Sequence, residues 1–274
     1  MAMHFFLFNA VLVIASLCTT VQMVINNCNQ MSRLFDYYDE RDRMNKYIRK
    51  AILRGIMGSP LMQPLTIGGF HWLWYRSRST WRKHTFLGHP IKQCPLDLHL
   101  YQELIYRVRP SFILQTGVLY GGSILYFASL LDLIGAAPDV IVAGIDLELT
   151  PSARALTHPR IRLFEGSSTD RAVVANVRAA LPAPTGFVVL DSDHSRDHVL
   201  SELSVYADLV SIDSYLVVED TAVNGHCVHP SHGPGPWEAV DDFLRMDDRF
   251  IRDDEVWRGN LFSQHQGGWL RRVR

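Results

Sequence analysis

Two apolar runs in this chain end in clustered carboxylates. Phe187-Val-Val-Leu190 leads into Asp191-Ser192-Asp193-His194, and Leu216-Val-Val218 leads into Glu219-Asp220. In an open parallel sheet, ligands sit beyond the carboxyl ends of the strands, so acids at two neighbouring strand ends can converge on one hard cation. The donor set is Asp191, Asp193, Glu219 and Asp220 with His194 as the one soft member, and the next cysteine is Cys227. Oxygen donors of this kind suit Mg²⁺ or a relative and argue against a zinc–thiolate centre. The plainer reading is that a carboxylate at a strand end only caps the following helix. His194 is the candidate general base, since an imidazole near neutrality can accept a proton, or else an orienter of the carboxylates. His226 is the reserve candidate. It lies in Thr221 to Pro236, rich in Gly, Pro and His, which reads as a mobile loop over an acceptor, with His229 and His232 exposed on it.

A second constellation precedes the first. The run Phe112-Ile-Leu114 leads into Gln115-Thr-Gly117-Val-Leu-Tyr-Gly121-Gly122-Ser123, a glycine-rich turn opening a helix, where backbone can approach a nucleotide closely. It is neither GxGxxG nor a phosphate loop, since no Gly-Lys-Ser/Thr follows. The next strand ends at Gly144-Ile-Asp146, and an acid there can accept both hydroxyls of a ribose. A third strand leads to Glu165-Gly166-Ser167-Ser168-Thr169-Asp170, a polar turn suited to an adenine edge, or to capping a helix with no ligand at all. A nucleoside cofactor is therefore expected, with no pyrophosphate required.

The elements that must hold these turns alternate. Helical periodicity over Leu96 to Val108, Ser123 to Leu133, Asp170 to Leu181 and His198 to Val210 separates strands at Phe112–Leu114, Val140–Ile145, Ile161–Phe164, Phe187–Leu190 and Leu216–Val218. Parallel neighbours need such crossovers, so the fold class is α/β, a doubly wound and mostly parallel sheet. Residues 31–94 form a helical and aromatic extension. Ser32 to Arg54 reads as an amphipathic helix, Gly55 to Gly69 carries breaking residues, and Phe70 to Trp81 concentrates Trp72, Trp74, Tyr75 and Trp81. Such aromatics are core, an interface between copies of a homo-oligomer, or a substrate-facing wall.

Residues 1–30 form an apolar leader with no Asp, Glu, Lys or Arg before Arg33. The run 5–25 is a candidate membrane anchor, diluted by His4, Asn9, Thr19, Thr20 and Gln22 against the about 20 predominantly apolar residues that a spanning helix needs. A surface or dimer-packing helix is the alternative, as is a start at Met31 or Met44. The signal-peptide pattern is missing its basic n-region. Formal net charge is −1, from 27 basic and 28 acidic residues, so no field exists to collect nucleic acid. The four cysteines, Cys18, Cys28, Cys94 and Cys227, lack CxxC spacing and predict a reducing, cytoplasmic setting, with membrane association only through the leader.

Several motifs together carry a family resemblance. They are Pro95-Leu-Asp97 with Gln102-Glu103, Thr116-Gly117 with Gly121-Gly122-Ser123, Gly144-Ile-Asp146, Glu165-Gly-Ser-Ser168, Asp191-Ser-Asp-His194, Val218-Glu-Asp-Thr221 with Asn224-Gly225-His226, and Gly233-Pro-Gly-Pro-Trp-Glu-Ala239. From about Trp81 to Leu270 the chain resembles the class I S-adenosylmethionine-dependent methyltransferases of the cephalosporin hydroxylase and rhamnosyl O-methyltransferase group. The resemblance implies a Rossmann-like methyltransferase domain over 95–274. It places S-adenosylmethionine on Gln115, Gly117, Gly121, Gly122, Ser123, Asp146, Ser167, Ser168 and Asp191. It also implies Mg²⁺ held by a strand-end aspartate with Glu219 and Asp220. Asp193 has the spacing to Glu219 expected within the closer family and is favoured, with Asp191 as second candidate. One departure is Gln115, which stands where the glycine motif usually opens with an acid.

The leading expectation is an Mg²⁺-dependent O-methyltransferase that moves a methyl group to a hydroxyl of a sugar or other secondary metabolite. Two alternatives are a cephalosporin-type hydroxylation or methoxylation component and a non-catalytic, membrane-tethered S-adenosylmethionine-binding protein. Against the first, the sequence has no two-histidine-one-carboxylate arrangement with iron-like spacing and no flavin fingerprint. Against the second stands retention of the whole acid cluster.

Overall fold

The centre of the sheet, over 112–116, 141–145, 187–190 and 215–218, is buried on both faces. The computed structural model describes Gly55 and residues 62–274; the leader over 1–30, the membrane contact through 5–25 and the helix over 32–54 lie outside the described residues. In chain order the elements are α1 (Met62–Arg76), a 3-10 turn (Trp81–Lys83), β1 (Thr85–Phe86), β2 (His89–Pro90), α2 (Pro95–Val108), β3 (Phe112–Thr116), α3 (Gly122–Leu133), β4 (Ile141–Asp146) and α4 (Pro151–Arg154). They continue as β5 (Ile161–Glu165), α5 (Arg171–Ala180), β6 (Phe187–Leu190), α6 (Arg196–Tyr206), β7 (Tyr215–Val218), α7 (Pro236–Met246), β8 (Phe250–Arg252), α8 (Glu255–Arg258) and β9 (Trp269–Arg272).

Among the described residues seven strands pair in the order β5-β4-β3-β6-β7-β9-β8. The β5-β4-β3-β6-β7 pairs are parallel, and β9 runs antiparallel to both β7 and β8. The sheet is thus doubly wound and mostly parallel. Alternate residues feed two cores, as the period of two along a strand requires. Phe112, Leu114, Val188, Leu190, Leu216 and Val218 pack with Val199 and Leu203 of α6 and Val240 and Phe243 of α7. Ile113, Val189, Tyr215 and Val217 pack on the other face with Leu100, Tyr101 and Leu104 of α2 and Ile124 and Phe127 of α3. Truncating a residue such as Leu114, fully buried, would cost about 2–5 kcal/mol.

The strand order turns back at β3, with β4 on one flank and β6 on the other, both parallel to it. That switch point opens a crevice at the carboxyl edge, which is where the sequence motifs were expected to meet. Helix boundaries agree with simple capping chemistry. Pro95 and Pro236 occupy first-turn positions of α2 and α7, and Asp170 caps α5 by accepting from the N–H groups of Ala172 and Val173.

Two local expectations are corrected. The glycines at 68 and 69 do not break the chain, because α1 runs through them to Arg76. Each costs about 1 kcal/mol relative to Ala, and docking offsets it: His71 is fully buried, bonded to Gln264 at 3.0 Å and set edge-on against Phe262. The segment 221–236 is tied down rather than free. Ala222, Val223 and Val228 are buried against Tyr75, and Thr221 Oγ1 donates to Gln266 O at 2.7 Å. Among the described residues no helix is long and apolar enough to cross a membrane.

Candidate active site

The turns after β3, β4, β5, β6 and β7 line one cavity of about 670 Å³. A half formed by the glycine turn and an acidic half share it, and Trp74, Tyr75 and Trp81 line one side.

In the first half, Gln115 is buried on β3, its Nε2 donating to Gly117 O at 2.6 Å while its Oε1 has no partner. Gly117 has φ 77°, and a Cβ there would lie 1.8 Å from Asp191 O. The glycine therefore allows the β3 turn to pass directly over the β6 turn. Gly122 plays the same part toward Pro90, whose carbonyl oxygen would lie 2.3 Å from an added Cβ. The sequence reading assigned such close approach to a ligand; at these two positions the neighbour is protein. Gly122 and Ser123 line the cavity, whereas Gly121 does not: it sits behind the loop, against Leu156.

Asp146 shapes this loop as well as facing the cavity. Its Oδ2 accepts from the backbone N–H groups of Val118 and Leu119, both at 2.8 Å, and its Oδ1 accepts from Glu148 N at 3.2 Å. Ser167 and Ser168 lie at the far wall. Ser168 Oγ is 3.2 Å from His198 Nε2, which is also 3.1 Å from Ser192 Oγ; Ser192 donates onward to the buried Glu202 at 2.7 Å. Glu202 holds the His198 pKa above its ordinary value through a hydrogen bond that outweighs burial. His198 was not singled out in the sequence, where it reads as one more residue of a helix.

In the acidic half, ligand atoms of Asp191, His194 and Asp220 lie within 4.8 Å of one another. His194 Nε2 is 3.3 Å from Asp220 Oδ2. Glu219 lies directly below, 2% exposed, its Oε1 accepting from Tyr101 OH at 2.6 Å and its Oε2 from Gln93 Nε2. Gln93 also reaches Asp191 Oδ2 at 3.5 Å. Asp193 is exposed, and its Oδ1 accepts from Ser195 N at 2.8 Å; that bond holds its pKa below the usual value. It borders the cavity but is not brought into the three-residue cluster. Its side chain serves the turn into α6, and Asp191, first off the strand, faces the other acids.

Electrostatics mark this half as short of positive charge. Burial, then the charges of Glu219 and Asp220, push the Asp191 carboxyl well above the carboxylate range. Among the described residues the one lysine or arginine lining the cavity is Lys92, and its ammonium lies over the Trp81 and Tyr120 rings at 5.5 and 5.6 Å. Carboxylates that crowd together with no arginine or lysine among them, joined by one imidazole, fit a hard divalent cation.

His226 is not brought to the cavity. Its Nε2 is 2.8 Å from Glu238 Oε1 and its ring stacks on Trp237 at 4.7 Å, so it fastens the loop to α7. Glu238 gathers three donors, His226, Asn224 Nδ2 at 3.1 Å and Gly235 N at 2.7 Å. Burial opposes ionisation of Glu238, but these bonds hold its pKa down to about 2. Of the aromatic segment, Trp74, Tyr75 and Trp81 line the cavity, whereas Trp72 points outward, 50% exposed. Gln93, Tyr101 and His265 were also missed. They sit outside the acidic motifs, in the segment before α2, on α2 and in the C-terminal loop, and no spacing in the sequence marks them.

The chain is similar to known proteins in sequence and in fold. A family model described as rhamnosyl O-methyltransferase/CmcI matches residues 78–273. The rhamnosyl O-methyltransferase of Mycobacterium bovis (strain BCG / Pasteur 1173P2) is 36% identical over 199 residues, covering 72% of this chain and 78% of the relative. That of Mycobacterium leprae (strain TN) is 35% identical over 175 residues, covering 63% and 75%. A solved structure described as cmcI-D160 Mg-SAM superposes with a TM-score of 0.54 at 21% identity, over 74% of this chain and 84% of the other. The CmcI-N160 apo-structure gives 0.55 at 22% identity, over 74% and 83%. At these identities the two structures speak to the fold.

Proposed function

The chain belongs to the rhamnosyl O-methyltransferase/CmcI family, and from that premise we propose that it is an S-adenosylmethionine- and Mg²⁺-dependent O-methyltransferase acting on a hydroxyl of a sugar or other secondary metabolite. The observation that carries the proposal is the single cavity in which the glycine turn and Asp146 face the Asp191, His194 and Asp220 cluster. The relatives' names supply the sugar: each is called a rhamnosyl O-methyltransferase.

S-adenosylmethionine would supply an electrophilic methyl group, and Mg²⁺ would lower the pKa of a chelated hydroxyl and orient it. The protein must then position and deprotonate. Gly117, Ser123 and Asp146 would hold the nucleoside end, with Asp146 Oδ1 turned to the ribose and Ser167 and Ser168 to the adenine edge. Asp191 and Asp220 would hold the cation, with Glu219 completing its charge from below. His194, beside Asp220, would accept the hydroxyl proton, and Asp220 would stabilise the imidazolium so formed. In-line transfer needs the nucleophile opposite the sulfur, so placing both halves in one cavity supplies much of the rate. The aromatic side formed by Trp74, Tyr75 and Trp81 would exclude water from the transfer.

The test is transfer of labelled methyl from S-adenosylmethionine to rhamnosides and phenolic acceptors, with and without chelator. Mg²⁺-dependent label on an oxygen supports the reading. Full activity without metal removes the cation from it, and oxygen consumption with the same acceptors would favour the hydroxylation alternative.

A further inference from the structure

We propose that His265 is a positioning residue that sets the Asp220 and Glu219 carboxylates for their cation, an inference that rests on the metal-dependent reading of the site. Asp220 has φ 52°, the left-handed region that L side chains rarely adopt. Its neighbours are locked by backbone bonds: Val218 N donates to Gly268 O at 2.9 Å and Glu219 N to Leu190 O at 2.9 Å. The N–H of Asp220 itself donates to Nδ1 of His265 at 3.0 Å. A side chain from the C-terminal loop thus fixes the backbone from which the Asp220 carboxylate projects.

That bond also decides the state of the ring. An Nδ1 that accepts a backbone N–H carries no proton, so the ring proton is on Nε2. Nε2 is 3.6 Å from Glu219 Oε2 and 3.7 Å from Asp97 Oδ2, and has no hydrogen-bond partner of its own. The N–H dipole therefore points between two buried carboxyls. Glu219 is held by Tyr101 and Gln93 on its oxygens and faces the His265 N–H from the third side.

The loop is braced to keep the ring in place. His265 is 2% exposed and packs against Trp269, ring centroids 5.9 Å apart. Its own N–H donates to Ser263 Oγ at 3.0 Å, and Gln264 N donates to Asp97 Oδ2 at 2.9 Å, which ties the loop to α2. Gln264 and His265 border the cavity, and the ring meets the acids at Asp220 N and beside Glu219 Oε2. Outer partners that orient metal ligands are commonly worth about 10–100-fold in metal affinity.

The experiment uses isosteres on the full chain. The amide of Asn places an acceptor where Nδ1 lies, whereas the amide of Gln reaches the Nε2 position. Mn²⁺ affinity, measured by electron paramagnetic resonance of the free ion, and S-adenosylmethionine affinity without metal are compared across wild type, His265→Asn, His265→Gln and His265→Ala. Expected is Mn²⁺ binding by His265→Asn within about threefold of wild type, and a loss of about tenfold or more in His265→Gln and His265→Ala, with S-adenosylmethionine affinity unchanged throughout. If His265→Ala fails to fold, the Asn and Gln pair decides. Equal Mn²⁺ binding by all variants, or rescue by Gln and not by Asn, overturns the proposal. Failure of wild type to bind Mn²⁺ overturns the metal reading beneath it instead.

Discussion

His194 Nε2 lies 3.3 Å from Asp220 Oδ2, which joins the turn after β6 to the turn after β7. The pair puts a proton acceptor beside a cation ligand, so the two acidic strand ends act as one group. Replacing His194 with Ala should lower kcat by about 10²–10⁴-fold and leave S-adenosylmethionine affinity unchanged. Steady-state kinetics beside direct titration of the methyl donor checks it, and an unaltered kcat removes the base role.

Gly117→Ala should be among the most damaging single changes in the chain. The added methyl meets Asp191 O at 1.8 Å from a backbone at φ 77°, and a strained site of this kind costs about 1–3 kcal/mol before the clash is relieved. The expected readout is a lower Tm together with loss of methyl-donor binding, because relief must move either the β3 turn or the Asp191 turn.

Tyr101→Phe removes a donor to the buried Glu219 and nothing else. Loss of a hydrogen bond to a charged group is worth about 1.5–3 kcal/mol. Denaturant unfolding should register that loss, and Mg²⁺ affinity should fall with it as Glu219 gains freedom to rotate. Burial and the neighbouring Glu219 hold the Tyr101 phenol well above its usual pKa, so this donor stays protonated at any working pH.

Glu238 supplies the pH dependence. Its folded pKa is depressed to about 2 by His226, Gly235 and Asn224, so it contributes stability above its unfolded pKa of about 4.3 and loses it as pH falls toward 2. With about 1.4 kcal/mol per unit reduced by partial exposure, Glu238→Gln should cost about 1–2 kcal/mol at neutral pH and converge with wild type under acid. His226→Ala should show a smaller loss in the same window and raise the acceptor KM more than it lowers kcat. A kcat collapse in His226→Ala would return that residue to the catalytic machinery.

The parallel part of the fold was legible because each of β3 to β7 is an apolar run that ends in a polar turn, and period and composition agree there. The antiparallel β8 and β9 were not read as elements, since Phe250–Arg252 and Trp269–Arg272 are short and mix arginine with apolar residues. Glycines 68 and 69 misled because docking of His71 and Trp74 outweighs their local cost. In the site, the acidic motifs announced Asp191, Glu219 and Asp220, whereas the choice among aspartates turns on side-chain direction, which spacing does not carry. The polar support of the acids was hidden for another reason: Gln93, Tyr101 and His265 come from three separate segments and meet only after folding.

The methyl-donor role of the cavity meets its sharpest test in titration calorimetry of the full chain with S-adenosylmethionine, in the presence and absence of Mg²⁺. Saturable binding in the micromolar range is expected, lost in Gly117→Ala, despite the neutral Gln115 at the opening of the glycine turn. A folded protein that binds no S-adenosylmethionine under either condition would contradict it.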